Sequence, residues 1–349
     1  MAPSLAGALA VVGLGVGIAL AKAKLERRRA PGPPRRDRRP SLLPGEPLAE
    51  GLRRVILGQL DLAIELLEGY PGEAGEHTVH ETRKAIKRLR ALLRLLRDEL
   101  GAKRYARENA ALRDCARRLA GARDAEVMVG TLEALLERHP KFARSPAVRE
   151  LRTQILAERD AASAHAIEDP RVRREVAGEL RAVRARAERW ALRERGFKLL
   201  APGLERIYRQ GRRGLRTARR RGGDAEALHL WRKRVKDLRY AAETLDRGGK
   251  RGGGKAGAEP GGSDRYVRRV AQRADRLGEM LGEEHDLALL ARGVRRRSER
   301  FAGERGTRKR LLKLIARRRK KLHRGALREG ERLYRRKPRR FVRRMKRAQ

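Results

Sequence analysis

HETRKAIKRLRALLRLLR at residues 80–97 and HLWRKRVKDLRYAAETLD at residues 229–246 read as two copies of one helix. Aligning His80 with His229 makes Arg83/Arg232, Lys84/Lys233, Lys87/Lys236, Leu89/Leu238, Arg90/Arg239 and Leu96/Leu245 identical, and sets Ile86 against Val235. Wound at about 100° per residue, His80, Arg83, Lys84, Lys87, Arg90 and Arg94 fall within an arc of about 120°. Thr82, Ile86, Leu89, Leu93 and Leu96 occupy a separate arc. The second copy divides in the same way, with His229, Arg232, Lys233, Lys236, Arg239 and Tyr240 on one side and Trp231, Val235, Leu238 and Leu245 on the other. Solvated helix faces ordinarily mix signs, with Glu four residues ahead of Lys or Arg. The arc at 80–94 carries no acid, although like charges at i,i+3 and i,i+4 repel. A face of that kind, present twice, points to an external anion as its counter-charge. Among the departures of the second copy from the first are Asp237 where the first has Arg88 and Glu243 where it has Arg94.

A further echo extends the repeat. Leu119-Ala-Gly-Ala-Arg-Asp124 resembles Leu281-Gly-Glu-Glu-His-Asp286, and the Asp follows its histidine by 44 residues in the first copy and 57 in the second. The longer interval is accounted for by the Gly-rich stretch 247–263. Apolar residues recur at three and four along nearly every other segment, as in Leu52, Val55, Ile56, Leu60, Ala63, Leu66 and Leu67, and no stretch alternates with period two. The chain is therefore expected to be all-α, in two related halves at about 48–195 and 198–345, with the basic helices facing one shared cleft. Helices are predicted over 264–282 and 284–301 as separate elements, and over 306–345 as one.

The bulk composition agrees. Of 349 residues 38% are charged and only 3% aromatic, and 90 Lys+Arg against 44 Asp+Glu leave a formal charge of +46. So large an excess repels itself and calls for a polyanion, whether phosphate polymer, nucleic acid or anionic lipid. Cys115 is the one cysteine, which rules out an intrachain disulfide or thiolate metal site. His77, His139, His165, His285 and His323 have no ligand spacing, so no metal is expected. Asp124 and Asp286 are expected to orient neighbouring cations and join helices.

The N-terminus is of another kind. Residues 5–21 form an uncharged apolar run of 17 residues, at the short end of a bilayer span, followed by Lys22, Lys24, Arg27, Arg28 and Arg29. The segment 1–22 reads equally as a membrane anchor, with the flanking charge keeping the rest cytoplasmic, and as a disordered tail. Gly13, Gly15 and Gly17 have the spacing G-x-G-x-G without a following βαβ unit, so no dinucleotide cofactor is expected. Residues 23–47 are rich in Pro and Arg and read as a linker, with the folded part beginning near Leu48.

These motifs resemble the conserved-histidine α-helical domain (CHAD) family over about 48–345. His80 to Arg90 is similar to the family's first histidine helix and Leu228 to Tyr240 to its second. Ile207-Tyr208-Arg209-Gln-Gly211-Arg212-Arg213 is similar to the basic helix before the second histidine, and Leu333-Tyr334 with Lys337-Pro338 and Phe341 to the C-terminal end. The resemblance implies two four-helix bundles related by a pseudo-twofold axis around a central basic cleft. It implies binding of inorganic polyphosphate and association with polyphosphate granules. The contacts it implies are His80, Arg83, Lys84, Lys87, Arg88, Arg90, Tyr208, Arg212, Arg213, His229, Arg232, Lys233, Lys236, Arg239 and Tyr240; helical winding adds Arg94. No Glu-x-Glu-x-Lys strand motif of a fused triphosphatase is present, so a binding protein without catalysis is expected. The rival reading is nonspecific nucleic-acid binding, which the charge favours and the scarcity of stacking aromatics disfavours.

Overall fold

The computed structural model describes residues 40–69, 76–119, 123–167, 170–247 and 264–348. Among them there is no strand, and the all-α expectation holds. The helices are α1 Leu48–Glu68, α2 Glu76–Leu95, α3 Ala102–Arg118, α4 Arg123–Arg138, α5 Pro146–Ile167, α6 Pro170–Glu188, α7 Ala201–Arg220, α8 Ala225–Leu245, α9 Asp264–Arg296, α10 Arg305–Leu333 and α11 Pro338–Lys346. Single turns at Arg97–Leu100, Pro140–Ala143 and Gly196–Leu199, and a kinked 3₁₀ stretch at Ser298–Glu304, link some of them.

Local chemistry sets several ends. Asp224 caps α8, its carboxylate accepting the Ala227 N–H at 2.9 Å. The single helix expected over 306–345 divides at 334–337, because the residue before Pro338 must be extended and Lys337 is (φ −65°, ψ 144°). The reverse correction applies to α9. It runs unbroken through Gly282 as a helix of 33 residues, where the sequence suggested two.

Packing groups the helices into three units. α1, α2, α3 and α6 contact one another in a closed ring, and α7, α8, α9 and α10 form a second. One core runs through both, from Leu52, Leu60, Ile86 and Leu180 to Leu204, Trp231, Leu238 and Leu277. The α4–α5 pair does not join the first ring. It packs instead on the far ends of α9 and α10, where Leu132, Leu151 and Ile155 meet Leu290, Val294, Phe301 and Leu311 in a separate core. Two bundles alone do not describe the molecule, because α9 and α10 are long enough to serve one ring with one end and α4–α5 with the other. The packed region also begins earlier and ends later than 48–345. Leu42 is buried and donates its N–H to Thr244 O at 2.8 Å, Arg247 donates to the carbonyls of Leu43 and Glu46, and Ala348 is buried. The segment 40–47 is therefore a strap across to the end of α8 rather than part of a linker. Residues 1–39 and most of the Gly-rich stretch 247–263 lie outside the described residues.

The rings meet where α2 packs on α8. Arg94 donates to Asp237 at 3.1 Å, and Arg88 stands 3.6 Å from Glu243. In the alignment of the two copies, 88 corresponds to 237 and 94 to 243. The ion pairs are thus reciprocal, each position in one copy meeting the other position in its counterpart, the pattern of two like helices facing each other. These two departures from the repeat, Asp237 and Glu243, are its charge complement. Tyr240 lies buried in the same seam, with Arg88 and Arg239 each 5.7 Å from its ring centroid. At the end of α2, α7 approaches so closely that a β-carbon on Gly203 would stand 1.8 Å from Leu95 O.

Asp237 is the seam's sensitive point, being 7% exposed and bonded to both Arg94 and Arg234. Asp237→Ala leaves these guanidiniums without their carboxylate and is expected to cost about 2–4 kcal/mol in urea denaturation. The exchange of charges in R94D/D237R is expected to recover a substantial part of that loss.

Candidate anion-binding groove

A groove of about 570 Å³ runs along one flank of α8. Arg232, Lys236 and Arg239 of α8, Arg138 of α4 and Arg318 of α10 line it. Gly130, Ala134, Gly278 and Gly282 floor it, so a ligand can approach the backbones of α4 and α9 closely. Carboxylates share the lining: Glu126, Glu279, Glu283 and Asp286. The guanidinium of Arg232 lies against α9, where a β-carbon on Gly282 would be 3.4 Å from its Nη2. Asp286 is half-buried in the groove wall; the side chain of its counterpart Asp124 lies outside the described residues.

Of the residues expected to bind, Arg232, Lys236 and Arg239 line this groove and the others lie elsewhere. Its described lining takes nothing from α2 or α7. Arg83, the counterpart of Arg232, donates to Ala116 O at 3.1 Å and Leu119 O at 2.5 Å, closing the C-terminal end of α3. The difference is topological. α3 ends at Arg118 and its last carbonyls take Arg83, whereas α9 continues through the matching stretch and Arg232 lies against it at Gly282. Lys84 bonds Glu81 at 3.1 Å and Arg90 donates to Asn109 at 3.2 Å. Arg88 and Arg94 belong to the seam. His80 is exposed and Lys87 half-buried.

Both tyrosines are core residues rather than surface contacts. Tyr208 is fully buried, stacks on Phe341 at 3.9 Å, donates to Leu333 O at 3.1 Å and accepts the Arg336 N–H at 3.3 Å. Burial raises its phenol pKa. Tyr240 is buried in the seam. Arg212 is half-buried on α7, while exposed Arg213, Arg216 and Arg220, with half-buried Thr217, line a recess of about 390 Å³ elsewhere on that helix. Lys233 is exposed beside the groove. Arg239 lines the groove but is bonded to Glu243 at 2.6 Å and paired with Asp275. Arg138, Arg318 and Glu283 were not legible as site residues, since three ordinary helix-surface letters in an Arg-rich chain carry no signal of convergence.

His229 stands against His285, ring centroids 4.4 Å apart and planes tilted by 31°. Its Nδ1 is buried without a hydrogen-bond partner. Burial first, then His285, Lys233, Arg232 and Lys236, push its pKa down to about 4. It is thus neutral at pH 7 in the anion-free protein. Burial pushes the Cys115 thiol up to about 11, which leaves it inert. Among the described residues no cluster of His, Cys, Asp and Glu could hold a metal ion, and no helix is long and apolar enough to cross a membrane. The apolar run 5–21 lies outside the described residues.

The family model of the CHAD domain matches residues 59–292. The crystal structure of the CHAD domain from the plant Ricinus communis is similar, with a TM-score of 0.54 and 18% identity over 86% of this chain and 97% of that one. At that identity the likeness is one of fold. No curated protein matches.

The His229 environment has a measurable consequence. In the folded chain its ring proton should titrate near pH 4 by NMR, against 6.5 for an ordinary histidine. Because the unfolded chain takes up this proton first, the contribution to stability is fully present above about 6.5 and is lost as the pH falls towards 4. His229→Gln should flatten the stability profile in that window.

Proposed function

The chain belongs to the CHAD domain family, and on that premise we propose that it binds inorganic polyphosphate along the α8 groove, without catalysis, as a cytoplasmic granule-associated protein. The observation that carries the reading is the convergence of Arg138, Arg232, Lys236, Arg239 and Arg318, from three helices, on a groove floored by glycine and alanine. Polyphosphate carries regular charge and no bases, so its recognition needs spaced cations and no stacking platform. Guanidinium forks meet phosphate oxygens in pairs, and Lys236 adds a point charge. The glycine floor lets a narrow chain lie near the helix backbone, which a duplex cannot do.

Arg232, Lys233 and Lys236 substituted together by Ala should weaken polyphosphate binding about tenfold or more, with the helical circular-dichroism spectrum unchanged. The log–log salt slope should become shallower by about 0.7–0.9 for each phosphate that the variant no longer neutralises. Unchanged affinity at low salt in a folded variant would sink the groove reading.

Nonspecific nucleic-acid binding is a second reading, and a different surface favours it. Arg335, Lys337, Arg339, Arg340, Arg343 and Lys346 are exposed in and just before α11 with no acid among them, while Phe341 and Met345 fix that helix to the core. Under the groove reading duplex DNA competes poorly with long-chain polyphosphate at physiological salt, and R339A/R340A/R343A lowers only the DNA affinity. Equal competition per phosphate would identify a generic cationic surface instead.

A further inference from the structure

One turn of α9 carries two adjacent glutamates that meet two adjacent arginines of α10. Glu284 is buried, its side chain 3% exposed, and accepts from Arg319 at 2.8 and 2.6 Å. Glu283 is its neighbour in sequence but faces the groove, its side chain 36% exposed. It accepts both prongs of the Arg318 fork, at 2.7 and 2.8 Å, and stands 3.4 Å from Arg138 across the groove. Two guanidiniums from different helices thus close on one carboxylate, and both belong to the groove's cationic lining. A carboxylate and a phosphate present the same pair of oxygens to a guanidinium fork. The repeat puts Gly121 opposite Glu283, so the first half of the chain has no such group.

We infer that Glu283 is the groove's resident counter-anion: it holds the place of one phosphate between Arg318 and Arg138, and an incoming polyphosphate chain displaces it. The inference rests on the polyphosphate reading of the groove and adds a residue that sets its affinity. Arg318 and Arg138 hold the Glu283 carboxyl below the usual carboxylate range, so it remains an anion at neutral pH. Its partial exposure lets it exchange partners, whereas Glu284 is buried against Arg319. In the empty groove Glu283 relieves the mutual repulsion of the two arginines and keeps them aimed inward. In the occupied groove it must turn out to solvent, and that displacement lowers the net affinity. Only ligands presenting several phosphates in a row can offset it, which selects for chains over single phosphates.

The test uses the full chain and polyphosphate of defined length at fixed pH and salt. Glu283→Gln keeps the shape and removes the charge; it is expected to tighten binding about threefold to tenfold. It should narrow the preference for long-chain polyphosphate over orthophosphate. Glu283→Asp retains the charge with a shorter reach and should fall between Gln and wild type. Glu175→Gln, a remote exposed acid paired with Arg171 and Arg118, makes the same change in net charge and should leave affinity unaltered. Glu284→Gln should lower the melting temperature without tightening binding. If Glu283→Gln binds no more tightly than wild type, or no more tightly than Glu175→Gln, the counter-anion role is overturned. The groove reading survives that result provided R232A/K233A/K236A still loses affinity. If the triple variant also binds normally, the groove itself is overturned.

Discussion

Two crossed ion pairs, Arg94 with Asp237 and Arg88 with Glu243, hold the seam on which the molecule depends. They join the ring of α1, α2, α3 and α6 to the ring of α7 to α10. Had the second histidine helix kept arginine at both positions, four guanidiniums would face one another at the centre of the structure. Acids at 237 and 243 turn that repulsion into attraction and fix the register of one helix on the other. Withdrawing these charges from water has its own cost. Burial raises the Asp237 pKa, against the pull of Arg94, Arg234 and Arg90. A seam of this kind specifies geometry more than it adds stability.

The rest of the charge distribution follows the same logic. Acids are outnumbered about two to one, and several of them lie inside. Glu108 is fully buried between Arg107 and Arg186, Glu284 is sealed against Arg319, and Glu329 gathers Arg273, Arg276 and Arg332. Minority charges placed at junctions between helices bind the bundle together and leave the outer surface more cationic than the composition alone implies. The exposed rows on α7 and α11 are the result.

Duplication and divergence account for the site. Arg83 and Arg232 occupy the same position in the repeat, yet one closes the end of α3 and the other lines a groove. What separates them is whether the helix opposite is broken. A break exposes carbonyls that take the guanidinium as a cap; a continuous helix with a glycine at the contact lets it lie against the helix beside the groove. The same letters therefore serve structure in one half and the groove in the other.

The sequence by itself determined the helical class, the internal repeat, the basic and apolar faces of α2 and α8, and the demand for a polyanion. These depend on residue periodicity and on charge summed along the chain, both local quantities. It also marked Asp237 and Glu243 as exceptions, without saying what they meet. Only the tertiary structure decided that they face Arg94 and Arg88, that Tyr208 and Tyr240 are core, that residues 40–47 form a strap, and that α4–α5 packs on α9 and α10. It alone brought Arg138, Glu283 and Arg318 to the groove of Arg232 and Lys236. The reason is physical. A helical period says which way a side chain points around its own axis, whereas its partner is chosen by how far neighbouring helices run before they break. Where no proline stops a helix, that length is set by packing across the whole chain, and at Gly282 α9 ran on against the local expectation.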